Sequence, residues 1–276
     1  MNLKTIITIS RPRFWFYLAG TYLVGYSFAV NNIFELQSLY FIIHFLYFLI
    51  PANIFLYGVN DICDEDTDKF NNKKVKYEHL LLSNEKSLLV GILFAVLGLS
   101  FILLSFQTKI ESQLLITLFL LLSFFYSAPP LRFKAKPIVD FLSNILYALP
   151  GILAYYQVTH QFPPTEIIIA LSLWTGAMHL FSAIPDIAAD KKAHLKTTAI
   201  ILGEKKSLIL CALFWGIVAI IALFNINSYL VLIALAYPIV PLLLLTNNDL
   251  EIKKIYRIFP IINMITGFAL FLYAIT

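Results

Sequence analysis

Charged residues are scarce in this chain, and their scarcity excludes an ordinary soluble domain. Only 13% of the 276 residues are charged, 60% are hydrophobic, and the mean hydropathy is +0.82. Soluble domains carry about 25% charged residues. The composition therefore predicts a membrane protein. We attribute its net charge of +4 to membrane topology and to interaction with lipid headgroups, and we expect no nucleic-acid partner.

Cysteine and clustered histidine are also lacking. The two cysteines, Cys63 and Cys211, are far apart and match no metal-binding spacing. We interpret them as small thiols within the membrane. The five histidines form no spaced cluster, which argues against zinc or haem ligation by the protein.

Apolar windows long enough to cross a bilayer recur along the whole chain. They predict an all-α polytopic membrane protein in which residues 1–276 form one domain of nine transmembrane helices. The predicted spans are residues 14–30, 39–59, 88–106, 114–129, 139–156, 167–185, 208–224, 228–246 and 257–275. We interpret the first as a retained helix and not a signal peptide, because eight further spans follow it.

The distribution of basic residues supports this topology. If the N-terminus faces the cytoplasm, 19 of the 20 lysines and arginines lie in or beside cytoplasmic loops, and only Lys109 lies outside. We therefore predict a cytoplasmic N-terminus and an outside C-terminus. The cytoplasmic loops at 60–87 and 186–207 hold most of the polar residues, so we expect the functional site on that face.

An acidic cluster ends the second predicted span. Five acids fall within the eight residues from Asp61 to Asp68. On a helix Asp61, Asp64 and Asp68 share one face, directly after Asn60. Stacked carboxylates repel one another unless cations neutralise them, and hard oxygen ligands suit Mg²⁺. Since acids in membrane segments are rare and mark functional sites, we predict a metal site here.

A second acidic pair lies four predicted helices later. Asp186 and Asp190, at i and i+4, end the sixth span and precede Lys191 in a lysine-rich loop. A solvated helix end would explain either acidic group alone, but two at equivalent depths suggest related halves facing one cavity. Facing carboxylates suit two or three Mg²⁺ ions bridged by an anion, for which a diphosphate is the natural candidate.

Basic residues alternate on the loop that follows the fourth span. The segment from Tyr126 to Asp140 contains Arg132, Lys134 and Lys136 between prolines. These bases are either anchors that reach the lipid headgroups or a clamp for a diphosphate. We expect Asp140 to pair with one of them or to orient Lys134.

Arg11 and Arg13 precede the first span and are more often topology anchors than ligands, although one of them is placed to reach a diphosphate. Together these groups suit one reaction. Mg²⁺ and basic side chains withdraw charge from an allylic diphosphate, the C–O bond ionises, and an electron-rich acceptor attacks the allyl cation. Aromatic faces stabilise such a cation.

The motifs resemble those of the UbiA superfamily of intramembrane prenyltransferases. The resemblance covers essentially the whole chain and implies a helical bundle around a central cavity, with Mg²⁺-diphosphate between two acidic motifs. It implies metal ligands at Asn60, Asp61, Asp64, Asp68, Asp186 and Asp190. It implies diphosphate contacts from Tyr126, Arg132 and Lys134, and from their positions we add Arg11 and Lys191 to these expected contacts. We expect Asp61, Asp64, Asp186 and Lys134 to act in catalysis.

Departures from the superfamily pattern bear on the acceptor. Glu65 stands where many quinone-pathway members have Arg, whereas the segments 10–20, 51–60 and 136–144 are similar to the lycopene elongase branch. We therefore expect a multi-pass protein of a prokaryotic cell membrane that transfers a prenyl group from an allylic diphosphate to a lipophilic acceptor, lycopene or a related carotenoid. Aromatic or polar-lipid prenyl transfer is the alternative. An ion-coupled transporter would instead place its acids near the membrane midplane on broken helices.

Overall fold

The computed structural model describes residues 2–64, 79–247 and 249–276, and this part of the chain contains helices and no β-strand. The predicted all-α class is confirmed. The helices in chain order are α1 (Leu3–Ile9), α2 (Trp15–Ser27), α3 (Leu39–Leu49), α4 (Pro51–Cys63), α5 (Lys86–Ser105), α6 (Ile110–Phe125), α7 (Val139–Leu142), α8 (Leu149–Thr159), α9 (Thr165–Ala183), α10 (Ile187–Lys192), α11 (Thr198–Asn225), α12 (Val231–Thr246) and α13 (Ile252–Ile275).

Among the residues that the structure describes, five helical stretches are long and apolar enough to cross a membrane. They are Leu39–Cys63, Lys86–Ser105, Thr165–Lys192, Thr198–Asn225 and Ile252–Ile275, and Ile110–Phe125 and Val231–Thr246 are shorter apolar helices. These stretches support an integral membrane protein. The count of nine spans and the cytoplasmic N-terminus stay predictions.

Two of the predicted spans are broken helices. The second divides where Pro51 begins α4, because proline has no N–H with which to continue α3. The fifth, predicted as one helix over 139–156, consists of α7, a 3₁₀ turn over Ser143–Tyr147, and α8. The break brings Asn144 and Tyr147 to the wall of a central cavity.

Helices α2 and α8 cross with their backbones in contact. A Cβ atom on Gly25 would lie 2.1 Å from the carbonyl oxygen of Gly151, so this crossing requires glycine. Close by, the Thr21 hydroxyl donates to the carbonyl of Tyr147 at 3.0 Å. The crossing thereby fixes Tyr17 and Tyr147, whose rings lie 6.0 Å apart, beside the cavity.

The buried core divides into two clusters that match two halves of the chain. One cluster runs from Ile9 to Tyr156 on α1–α8, and the other runs from Ala177 to Phe259 on α9–α13. The cavity takes its lining from both halves. This division agrees with the two facing halves expected from the repeated acidic motifs.

Candidate active site

The cavity between the two halves has a volume of about 320 Å³ and carries both polar and aromatic side chains. Its polar lining includes Arg11, Arg13, Asn60, Asp64, Lys134, Asn144, Thr175, His179, Ser182, Asp186, Asp190 and Thr197. Its aromatic lining consists of Phe14, Tyr17, Tyr57, Tyr126, Tyr147, Trp174 and Tyr256. Acids from both motifs therefore line one cavity.

The first acidic motif lies at the C-terminal end of α4. The helix ends at Cys63, and Asp64 caps it with its N–H bonded to the carbonyl of Asn60. Asn60 and Asp64 line the cavity, whereas Asp61 is 3% exposed and is not part of the lining. Asp61 as a direct ligand stays a prediction, and Asp68 lies outside the described residues.

Arg11 reaches this motif from the N-terminal segment. Its Nη2 lies 3.0 Å from Oδ1 of Asp61 and donates to Oδ1 of Asn60 at 3.3 Å. Its guanidinium carbon lies 4.5 Å from the centroid of the Tyr57 ring. Arg11 has a φ of 51°, and Pro12 begins the 3₁₀ turn that follows. The left-handed backbone turns this side chain toward α4, so Arg11 lines the cavity beside the first acidic motif.

The basic loop contacts the same motif from the opposite side. Lys134 forms an ion pair with Oδ2 of Asp64, and Nη2 of Arg132 lies 3.5 Å from its Oδ1. The backbone N–H of Lys134 donates to the carbonyl of Tyr126 at 3.0 Å, which fixes the loop on the end of α6. The two bases compensate the charge of Asp64, whose side chain is 3% exposed.

The second acidic motif occupies a turn and a short helix after α9. A 3₁₀ turn over Ile184–Asp186 leads into α10, which carries Asp190. Met178, Ser182 and Asp186 line the cavity at helical spacing, so the acids continue one face of α9. Lys191 is exposed and outside the lining, and its contact with a diphosphate stays a prediction.

The prediction that Asp140 pairs with a base of the loop or orients Lys134 is wrong. Its carboxylate, 1% exposed, accepts hydrogen bonds from the backbone N–H of Thr198 at 2.6 Å, from the Thr198 hydroxyl at 2.5 Å and from the N–H of Phe141 at 2.9 Å. The Thr198 hydroxyl also accepts from the N–H of Ile138 at 2.6 Å. We call this group the Asp140–Thr198 latch. The Asp140 carboxylate is satisfied by neutral donors, two of them on Thr198 at the start of α11, and a local sequence pattern does not reveal that distant partner.

Several site residues carry no obvious sequence signal. Ser127 accepts from Nδ2 of Asn60 at 2.8 Å and lies 3.5 Å from Asp64, so it connects the two sides of the first motif. The hydroxyls of Tyr57 and Tyr147 lie 3.2 Å apart. The sequence signal for Ser127 is its position within the motif that runs from Tyr126 to Lys134.

The donor set suits Mg²⁺ bound together with a phosphate ligand. Within the described ranges no three His, Cys, Asp or Glu side chains are close enough to enclose a metal by themselves. The available donors are oxygens, with Asn60 and Asp64 on one side and Asp186 and Asp190 on the other. Mg²⁺ binds through one or two carboxylates, waters and substrate phosphates, so this arrangement fits such an ion.

Relatives with named activities align over most of the chain. A lycopene elongase/hydratase of Haloarcula japonica is 38% identical, with 98% of this chain and 90% of that protein covered. A lycopene elongase/hydratase of Halobacterium salinarum is 40% identical, with 83% and 82% covered. The predicted resemblance to this branch is confirmed at the level of sequence similarity.

Solved structures share the fold. A UbiA homolog from Archaeoglobus fulgidus bound to DMAPP and Mg²⁺ aligns with a TM-score of 0.73 and 22% identity, over 98% of this chain and 99% of that one. The apo structure of a UbiA homolog from Aeropyrum pernix aligns with a TM-score of 0.67 and 18% identity, over 94% and 98%. Residues 18–259 match the sequence pattern of the UbiA prenyltransferase family. The chain belongs to this family and is a prenyltransferase.

Proposed function

We propose that this protein transfers the prenyl group of dimethylallyl diphosphate to the end of lycopene or a related carotenoid, with Mg²⁺ required. The observation that carries the proposal is the shared cavity. Its lining includes Asp64 and Lys134 from one half and Asp186 and Asp190 from the other. This arrangement suits an anion that is bridged to carboxylates by metal ions and is also contacted directly by a cation. The family's prenyl transfer supplies the reaction class.

The polar end of the cavity is suited to the diphosphate. When bound, Mg²⁺ neutralises the leaving diphosphate and so helps the allylic C–O bond to ionise. Lys134 lines the cavity beside Asp64 and supplies a positive charge for the diphosphate oxygens. Arg11 holds Asn60 in place and keeps a second positive charge near the site.

The rest of the cavity is suited to the allyl cation. Tyr147 and Trp174 line the cavity, and an aromatic face stabilises a cation without trapping it as a nucleophile would. The enclosing helices keep bulk water away from the cation. The prenyl group is thereby protected until the acceptor attacks it.

The acceptor is proposed from similarity and from the substitution noted in the sequence. The relatives that align over most of the chain are named lycopene elongase/hydratase. A phenolic acid needs a cation for its carboxylate, and Glu65 stands at the position where quinone-pathway members have Arg. A hydrocarbon acceptor needs no such cation. We place the site at the cytoplasmic side, where the basic residues gather.

The test uses membranes that contain the full chain, with labelled dimethylallyl diphosphate, Mg²⁺ and either lycopene or 4-hydroxybenzoate. We expect longer carotenoids from lycopene and no prenylated acid, and chelation of Mg²⁺ should abolish the product. Asp64→Asn should lose at least about 100-fold in rate, because removing a charged ligand weakens the metal-diphosphate complex. Asp249→Asn, at an exposed residue in the loop after α12, is the matched control and should be silent.

Prenylation of 4-hydroxybenzoate with unchanged lycopene would reject the carotenoid acceptor and move the protein to the aromatic branch of the family. Full activity of Asp64→Asn membranes would reject the metal-diphosphate site itself.

A further inference from the structure

The imidazole of His179 lines the cavity beside Tyr126, a residue expected to contact the diphosphate. His179 lies on α9, seven residues before Asp186, which corresponds to about 10 Å along a helix. Its Nδ1 lies 3.4 Å from the hydroxyl oxygen of Tyr126, and the two rings are nearly perpendicular at 88°. Within the described residues nothing hydrogen-bonds its Nε2, and the side chain borders the cavity. Nε2 of His179 is therefore the ring nitrogen available to a ligand in the cavity, and the contact with Tyr126 orients the ring.

The proposed reaction needs a proton acceptor. When the π electrons of an acceptor alkene form a bond to the allyl cation, a positive charge is left on the neighbouring acceptor carbon. This charge is lost when an adjacent C–H bond breaks or when water adds to the cation, and either route releases one proton. The same requirement holds for a phenolic ring or a hydroxyl group, since each also loses one proton on prenylation.

We propose that Nε2 of His179 accepts this proton, an inference that rests on the proposed function. The C–O bond of the donor breaks with its electron pair leaving on diphosphate, and the acceptor alkene forms the new C–C bond. The adjacent C–H bond then breaks, its electrons form the new C=C bond, and the proton goes to Nε2. Nδ1–H donates to the Tyr126 oxygen in this tautomer, which keeps the Nε2 lone pair available. The proton passes to water when diphosphate leaves.

The other ionisable groups of the described lining are less suited to this role. Asp64 is paired with Lys134 and Arg132, and Asp186 and Asp190 lie where the diphosphate is proposed to bind. The tyrosine hydroxyls are donors and poor bases at neutral pH. His179 lies about two helical turns from Asp186 and borders the same cavity.

The test separates ionisation of the donor from completion of the transfer. Membranes or detergent-purified full chain are given labelled dimethylallyl diphosphate, lycopene and Mg²⁺, and three products are measured: pyrophosphate, prenylated carotenoid and prenyl alcohol. In His179→Gln, pyrophosphate release should stay close to the wild-type rate while prenylated carotenoid falls about 100-fold, as expected for loss of a general base. The missing prenyl group should be recovered as alcohol formed with water.

A matched pair of variants makes the result specific to proton transfer. His179→Glu, which has nearly the shape of His179→Gln but carries a base, should recover part of the coupling between pyrophosphate release and prenylation. His160→Asn, an exposed residue with φ of 54° that asparagine tolerates, is the control and should behave as wild type.

Three outcomes would overturn the proposal. They are unchanged prenylation in His179→Gln, an equal fall of pyrophosphate release and prenylation in that variant, and identical coupling in the Glu and Gln variants. Failure of the proposed function looks different, because the wild-type protein itself would then leave lycopene unmodified.

Discussion

At the scale of single residues, charge compensation around Asp64 is the main feature of the site. A carboxylate with a side chain 3% exposed is costly unless cations offset it, and Lys134 and Arg132 do so. Lys134 also lines the cavity in which we propose that the diphosphate binds. The same positive charge would therefore stabilise Asp64 and attract an anionic donor.

Replacing Lys134 tests this double role. Lys134→Ala should lower the rate of prenyl transfer roughly 10- to 100-fold, the range typical of residues that support a metal site. The effect should be smaller than that of Asp64→Asn because Arg132 still lies 3.5 Å from Asp64. The measurement is kcat and KM for dimethylallyl diphosphate, with Lys192→Ala, at an exposed residue, as control. A Lys134→Ala protein with wild-type kcat and KM would show that the loop is only a membrane anchor.

The site residues that could be predicted from the sequence are those that recur at short, regular spacing. Asp64, Asp186 and Lys134 are recognisable because acids or bases recur at short intervals in an apolar chain. His179 has no such pattern, since a lone histidine in a hydrophobic helix looks the same whether it borders a cavity or packs in a core. The partner of Asp140 was missed because Thr198 is 58 residues away in the chain.

At the scale of elements, the Asp140–Thr198 latch joins the basic loop to the start of α11. Ile138, four residues after Lys134, has a φ of 71°, which is strained for a β-branched residue and costs about 1–3 kcal/mol. Its N–H donates to the Thr198 hydroxyl, and that hydroxyl donates to Asp140. The latch therefore holds a strained connection between the basic loop and the segment that follows Asp190.

Removing one hydroxyl tests the latch. Thr198→Val should destabilise the protein by about 1.5–3 kcal/mol, the range for a hydrogen bond to a charged group, and should raise KM for the diphosphate donor because the loop is less firmly held. Thr198→Ser keeps the hydroxyl and should retain both properties. Thermal unfolding in detergent and donor kinetics give the two readouts. Equal damage in the Ser and Val variants would show that the hydroxyl is not what matters.

The α2–α8 crossing gives a prediction about packing. Gly25→Ala would place a Cβ 2.1 Å from the Gly151 carbonyl oxygen, so the helices must separate at a cost of about 1–3 kcal/mol. Gly91→Ala is the matched control, because it lies in helix α5 with nothing within 4 Å of the new Cβ. That change should be neutral or should stabilise the helix by up to about 1 kcal/mol. A similar melting temperature for Gly25→Ala and wild type would contradict the close crossing.

Apolar patterning predicted most of the helices but not their breaks. A segment that crosses a bilayer needs hydrophobic side chains whether it forms one helix or two. The sequence of residues 139–156 therefore predicted one continuous span. The break at Ser143–Tyr147 depends instead on the α2–α8 crossing and on the Asp140 contacts, which are long-range. Pro51 and Pro150 offered the only local signals for the two breaks.

At the scale of the whole molecule, the two core clusters each bring one acidic motif to the cavity. Within the described residues no three His, Cys, Asp or Glu side chains, taken from one motif or from both, lie close enough to hold a metal by themselves. The central claim is therefore that the diphosphate supplies further oxygen ligands and that both motifs hold one metal-diphosphate complex, so that each motif depends on the other.

A double-mutant cycle on donor binding tests this claim most directly. The affinity of an unreactive thiolo analogue of dimethylallyl diphosphate is measured at fixed Mg²⁺ for wild type, Asp64→Asn, Asp186→Asn and the double variant. If both residues hold one complex, the double variant should bind little worse than the weaker single variant, with a coupling energy of about 0.5–3 kcal/mol. Losses that add to within about 0.5 kcal/mol would show two independent sites and would contradict the shared complex.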